Sequence, residues 1–161
     1  MEDKIAIIVL GNRNSGKSKT WNTLFEQEVR TGKNERQLHL FDEKSTNVFL
    51  ISGSPEERKE YVEDLLNGQT PKIILCSVQY TEHGKKTINY FISQGYKVYA
   101  QWLNPGFSDY VLYGDTLGIF IDLLYKDSII TLKNGKNDFK DRVEEIKYFI
   151  YSWAKRFNLL Q

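Results

Sequence analysis

The chain has 161 residues, 40% hydrophobic and 27% charged, which is enough for one domain with a complete core and too few for two. Its 22 lysines and arginines nearly balance 21 aspartates and glutamates, so no basic field favours nucleic acid and no acidic tail draws a charged partner. A lone cysteine excludes an internal disulfide framework, and Met1-Glu2-Asp3-Lys4 leads into an apolar run too short for a signal or membrane segment. The expectation is a single cytoplasmic domain over residues 1–161 that engages neither membrane nor nucleic acid.

The run Ile5-Ala6-Ile7-Ile8-Val9-Leu10 has strand length, and residues 17–29 carry Trp21, Leu24, Phe25 and Val29 at helical spacing. Between them stands Gly11-Asn12-Arg13-Asn14-Ser15-Gly16-Lys17-Ser18, which fits G-x-x-x-x-G-K-[ST] without mismatch in the strand–loop–helix setting that motif requires. A glycine loop at a helix N-terminus offers converging N–H groups and the positive end of the helix dipole to an anion, and phosphate is the natural ligand.

On these residues the chain resembles the P-loop NTPase superfamily. The resemblance implies a three-layer α/β fold with a mostly parallel sheet, one antiparallel hairpin and helices on both faces. It implies a bound nucleoside triphosphate, ATP or GTP, with Mg²⁺. Gly11, Asn12, Arg13, Asn14, Ser15, Gly16, Lys17, Ser18 and Lys19 would form the cradle, Lys17 would neutralise the β- and γ-phosphates, and Ser18 would ligate the metal.

Residues 30–36 read as a polar loop beside this site. In GTPase-like members of the superfamily a threonine here completes the Mg²⁺ shell, so Thr31 is the candidate, with Arg30 and Arg36 as phosphate partners; an ordinary solvated loop is the alternative. The strand-length runs at residues 37–41 and 47–51 are joined too closely for a crossover helix and should form an antiparallel hairpin, the GTPase-like arrangement. There the second strand ends in an aspartate and a glycine, whereas this chain has Ser52-Gly53-Ser54. A competing reading takes residues 38–43 as an ATPase-type strand, with Asp42 contacting the metal and Glu43 a base; the alternative makes both turn residues. Ser54-Pro55-Glu56-Glu57 reads as N-cap, N1 and capping box of a helix ending at Asn67-Gly68, with Glu56 or Glu57 a candidate for orienting a water.

The continuous apolar run at residues 71–78 reads as a central strand whose end, with Gln79, shares the rim of the phosphate loop. Cys76 reads as a small buried hydrophobe, and His39, His83 and Cys76 do not make a zinc site. Thr81 caps the next helix, and residues 97–103 form a strand entering Asn104-Pro105-Gly106-Phe107-Ser108-Asp109. The Asn-Lys-x-Asp motif by which GTPase-like proteins read guanine is absent, which favours ATP, and Trp102, Phe107 and Tyr110 are available to stack a base. The stretch between Arg58 and Arg142 contains no arginine for a kinase lid, although Lys126, Lys133 and Lys136 are partial substitutes.

Asp115 reads as the cap of a short helix, and residues 128–132 as a final strand. Phe139, Val143, Ile146, Ile150, Trp153 and Phe157 then form a helical stripe that covers the sheet, or with Phe149 and Tyr151 meets a protein partner. The functional expectation is a small NTPase or nucleotide-dependent switch, slow at hydrolysis because acid and arginine are missing from their usual places. A small-molecule or nucleotide kinase and a non-catalytic nucleotide-binding module are the alternatives.

Overall fold

A computed structural model describes residues 3–104, 114–137 and 139–161. The elements run β1 (Ile5–Gly11), α1 (Lys17–Phe25), β2 (Arg36–His39), β3 (Ser45–Ile51), α2 (Val62–Leu66), β4 (Ile73–Gln79), α3 (Glu82–Ser93), β5 (Lys97–Leu103), α4 (Ile119–Tyr125), β6 (Ile129–Lys133) and α5 (Phe139–Arg156). They build one six-stranded sheet in the order β2-β3-β4-β1-β5-β6. Every neighbouring pair is parallel except β2 with β3.

The apolar run of β1 is continuous because both faces of the sheet are covered. Ile5, Ile7 and Val9 pack with Trp21 and Leu24 of α1 and with Val143, Ile146 and Ile150 of α5. Ala6, Ile8 and Leu10 point into the opposite core, where Val62, Ile88, Phe91, Ile119 and Leu123 come from α2, α3 and α4. The result is the expected three-layer arrangement, a mostly parallel sheet with one antiparallel pair. Among the described residues no helix is long and apolar enough to cross a membrane.

Several local expectations change under tertiary contact. α1 stops at Phe25, where Glu26 turns left-handed with φ 57°. Val29 still reaches the core because its N–H donates to Asn22 Oδ1 at 2.9 Å. The Ser54-Pro55-Glu56-Glu57 capping box does not open a helix. The chain makes turns there, with Lys59 at φ 56°, and α2 begins only at Val62 without a side-chain cap. Ser54 Oγ has no hydrogen-bond partner and Glu57 reaches Lys17, so a distant ion pair replaces the local capping bond. Thr81 does cap α3, its Oγ1 accepting from Gly84 N at 3.0 Å. Asp115 stands three residues before the Gly118 N-cap of α4, yet its Oδ2 still accepts from Ile121 N at 3.1 Å. In α5, Phe149 stacks on Tyr99 with centroids 4.4 Å apart, and Tyr151 lies edge-on to Phe41 at 5.9 Å, so both off-stripe aromatics pack on their own chain.

Candidate functional site

Gly11 ends β1 directly opposite Gln79 at the end of β4. The helix after β1 packs on one face of the sheet and the helix after β4 on the other. That divergence makes a crevice at the carboxyl ends of the two strands, the place where open α/β sheets bind ligands. The loop 11–18 fills its rim.

The loop is held against the body of the protein as much as by its own glycines. Gly16 has φ +100°, and a Cβ there would lie 2.3 Å from Gly135 O. A Cβ on Gly135 would in turn lie 2.0 Å from Ser15 O. Asn104, at the end of β5, completes the clamp: Oδ1 accepts from Gly135 N at 2.6 Å and Nδ2 donates to Ser15 O at 3.4 Å. From α5, Arg142 donates through Nη1 to Thr20 Oγ1 at 2.7 Å and through Nη2 to Gly16 O at 3.3 Å. Burial lowers the Arg142 pKa to about 10, leaving it cationic at neutral pH behind the loop. These three supports are distant in sequence from the loop they hold. The Asn-Gly after β6 and an arginine inside an apolar stripe were the available signals.

Lys17 is buried, and its ammonium donates to Gly11 O at 3.1 Å, Asn12 O at 2.8 Å and Glu57 Oε1 at 3.3 Å. Burial lowers its pKa, with the Glu57 carboxylate opposing that shift. A cavity of about 180 Å³ lies over the loop, bounded by Arg13, Asn14, Gly16, Lys17, Ser18 and the 52–54 segment. Two hydroxyls on its wall, Ser15 Oγ and Ser54 Oγ, are buried without a hydrogen-bond partner. Buried polar atoms without partners are uncommon, and here they sit where an oxyanion would supply acceptors. A glycine cradle, a buried ammonium and two spare hydroxyls fit a phosphate group, and Ser18 offers a hard oxygen for its counter-cation.

A larger cavity of about 860 Å³ adjoins this one and shares Ser18, Ser52 and Gly53 with it. Thr31 lines it as Ser18 does, and the Ser52 N–H donates to Thr31 Oγ1 at 3.0 Å. Arg30 also lines this space, whereas Arg36 spends its guanidinium on Arg30 O at 2.8 Å. Glu56 is buried between the end of β4 and α3, accepting from Gln79 N at 3.2 Å and from Thr87 Oγ1 at 2.8 Å.

Asp42 does not reach the site. Ile51 is level with Cys76 and Cys76 with Ile8, so the β2–β3 turn lies at the amino end of the parallel strands, roughly 30 Å along the sheet from Gly11. Asp42 and Glu43 both have positive φ, as turn residues, and Tyr151 donates to Asp42 Oδ2 at 3.4 Å. The ATPase-type reading of residues 38–43 is thereby corrected. Cys76 is fully buried and its thiol pKa pushed well up by burial, which suits a core residue. No group of histidine, cysteine and carboxylate side chains able to hold a metal occurs among the described residues. Phe107, Asp109 and Tyr110 lie outside the described residues, while Trp102 stacks on Tyr80 at 4.8 Å. Lys133 is committed to Glu145 at 2.7 Å.

Fold and loop together define a mixed α/β protein whose architecture is consistent with a P-loop-like fold. No protein-family model matches the chain, and no curated protein matches its sequence. A solved structure of translation elongation factor SelB from Methanococcus maripaludis, in complex with the GTP analogue GPPNHP, is similar with a TM-score of 0.57 and 16% identity. The likeness covers 96% of this chain and 35% of that one, so the chain spans about a third of the factor's length. At that identity the similarity is one of fold.

Proposed function

We propose that this chain binds a Mg²⁺-nucleoside triphosphate at residues 11–19 and acts as a small cytoplasmic NTPase or nucleotide-dependent switch. The observation that carries the reading is the buried Lys17 ammonium held over an intact glycine loop, beside two hydroxyls without partners. Lys17 would neutralise the β/γ charge, backbone amides around residues 14–17 would hold the phosphates, and Ser18 and Thr31 would supply oxygens to the metal. When bound, Mg²⁺ would supply charge neutralisation to the phosphates. The missing guanine motif favours ATP, while the similar elongation factor is complexed with a GTP analogue, so both bases belong in any test.

Intrinsic hydrolysis should be slow. Arg142 is spent behind the loop and Asp42 is remote, and among the described residues Glu57 is the carboxylate that lines the small cavity over the loop. The 860 Å³ cavity beyond Ser18 favours a second reading, a kinase, because it has the size of a small-molecule site. Product analysis separates them. Incubation with MgATP and MgGTP, with Lys17→Ala as blank, should release free phosphate slowly if the protein is an NTPase. Negligible phosphate without an acceptor, followed by a phosphorylated product when one is added, would replace that reading with the kinase.

A further inference from the structure

Lys17 has three N–H donors and uses all of them, on Gly11 O, Asn12 O and Glu57 Oε1. The first two acceptors belong to the phosphate loop. The third is the one charged partner and comes from the turn segment after β3. Lys17 is 6% exposed and Glu57 28%, so the pair sits at the mouth of the cradle where solvent screening is incomplete. Glu57 also lines the cavity over the loop, so a phosphate entering there meets a carboxylate already on its lysine.

We infer that Glu57 is an internal anion that competes with the terminal phosphate for Lys17, so that ligand binding exchanges one for the other and moves the segment that carries Glu57. This rests on the nucleotide-binding reading above. The neighbouring side chains are arranged for such an exchange. Glu56 is pinned to the end of β4 by Gln79 N and to α3 by Thr87 Oγ1, which fixes one end of the segment. Beyond Glu57 the Arg58 and Lys59 side chains are exposed, Arg58 pairing with Glu60 at 3.2 Å and Lys59 in a left-handed turn, while the N–H groups of residues 58, 59 and 60 bond back to Ser54 O, Glu56 O and Pro55 O. Glu57 can therefore leave Lys17 while Glu56 stays in place.

The test combines calorimetry with limited trypsin digestion. MgATP, MgGTP and magnesium tripolyphosphate, the last a probe that needs no base, are titrated into wild type, Glu57→Gln and Lys17→Ala, each checked for folding by circular dichroism. Removing the competing charge should tighten binding by about fivefold, the upper range for a partly exposed ion pair. Glu57→Ala should act in the same direction. Ligand should speed cleavage of wild type after Arg58 and Lys59, and Glu57→Gln should be cut fast with or without it. If wild type binds, Lys17→Ala does not, and Glu57→Gln binds equally or more weakly, the exchange is refuted and the cradle stands. Unchanged cleavage of wild type on saturation refutes the movement. If no probe binds wild type or Glu57→Gln, the nucleotide reading falls and the exchange falls with it.

Discussion

Gly135→Ala tests whether the phosphate loop is held from behind. The added methyl would sit 2.0 Å from Ser15 O and 3.0 Å from Leu103 Cβ. Carbon and oxygen need roughly 3.5 Å, so the two backbones must part by about 1.5 Å. Neither neighbour is a flexible side-chain tip. Ser15 O belongs to the phosphate loop and accepts from Asn104, and Leu103 is buried at the end of β5. Overpacking of this kind costs about 1–3 kcal/mol, which for a domain of this size lowers the melting midpoint by roughly 2–12 °C. The greater effect should fall on ligand affinity, because the displaced carbonyl lies between Asn14 and Gly16. Gly68→Ala is the control: it has φ +78° but nothing within 4 Å of the new methyl, so it should cost about 1 kcal/mol and leave binding unchanged. Thermal melting with nucleotide calorimetry reads both effects. If Gly135→Ala melts and binds like wild type, the clamp has no energetic weight and the account of the loop is wrong.

Other substitutions probe the remaining contacts. Arg142→Lys keeps the charge but loses the fork that spans Thr20 Oγ1 and Gly16 O, and should cost about 1–3 kcal/mol by urea unfolding. Asp42→Asn, at the far end of the sheet, should leave nucleotide binding and turnover as they are; a tenfold loss in phosphate release would restore Asp42 to the site. Tyr80 has its pKa raised from 10.0 to about 12, first by burial and then by its bond to Asp115. Between those values the unfolded chain has lost the phenolic proton and the folded chain keeps it, so stability falls as pH rises through the window. Tyr80→Phe should make that alkaline decline shallower in pH-dependent melting.

The parts that could be read from the chain are those whose physics is local or repetitive. β1 and β4 stand out as continuous apolar runs because helices cover both faces, and the β2–β3 pair follows from a connection too short for a helix. The glycine loop announces itself because its chemistry lies in consecutive residues. Three things were hidden. The direction of β3 sends Asp42 away from the loop, and that is a property of the sheet and not of the hairpin. The capping box at Ser54 loses to Lys17, Gln79 and Thr87, partners that lie more than twenty residues away. Asn104, Gly135 and Arg142 meet at the back of the loop only after three separate elements have packed.

Nucleoside triphosphate binding at residues 11–19 depends, in the function proposed above, on Lys17. Thermal melting of wild type and Lys17→Ala, with MgATP, with MgGTP and with neither, tests it most directly. At about 100 times its Kd a ligand specific for the folded state adds roughly 2.7 kcal/mol, which corresponds to a rise of about 5–11 °C here. That rise is expected for at least one nucleotide in wild type and for none in Lys17→Ala. An equal rise in both proteins, or no rise in wild type at millimolar nucleotide, would contradict it.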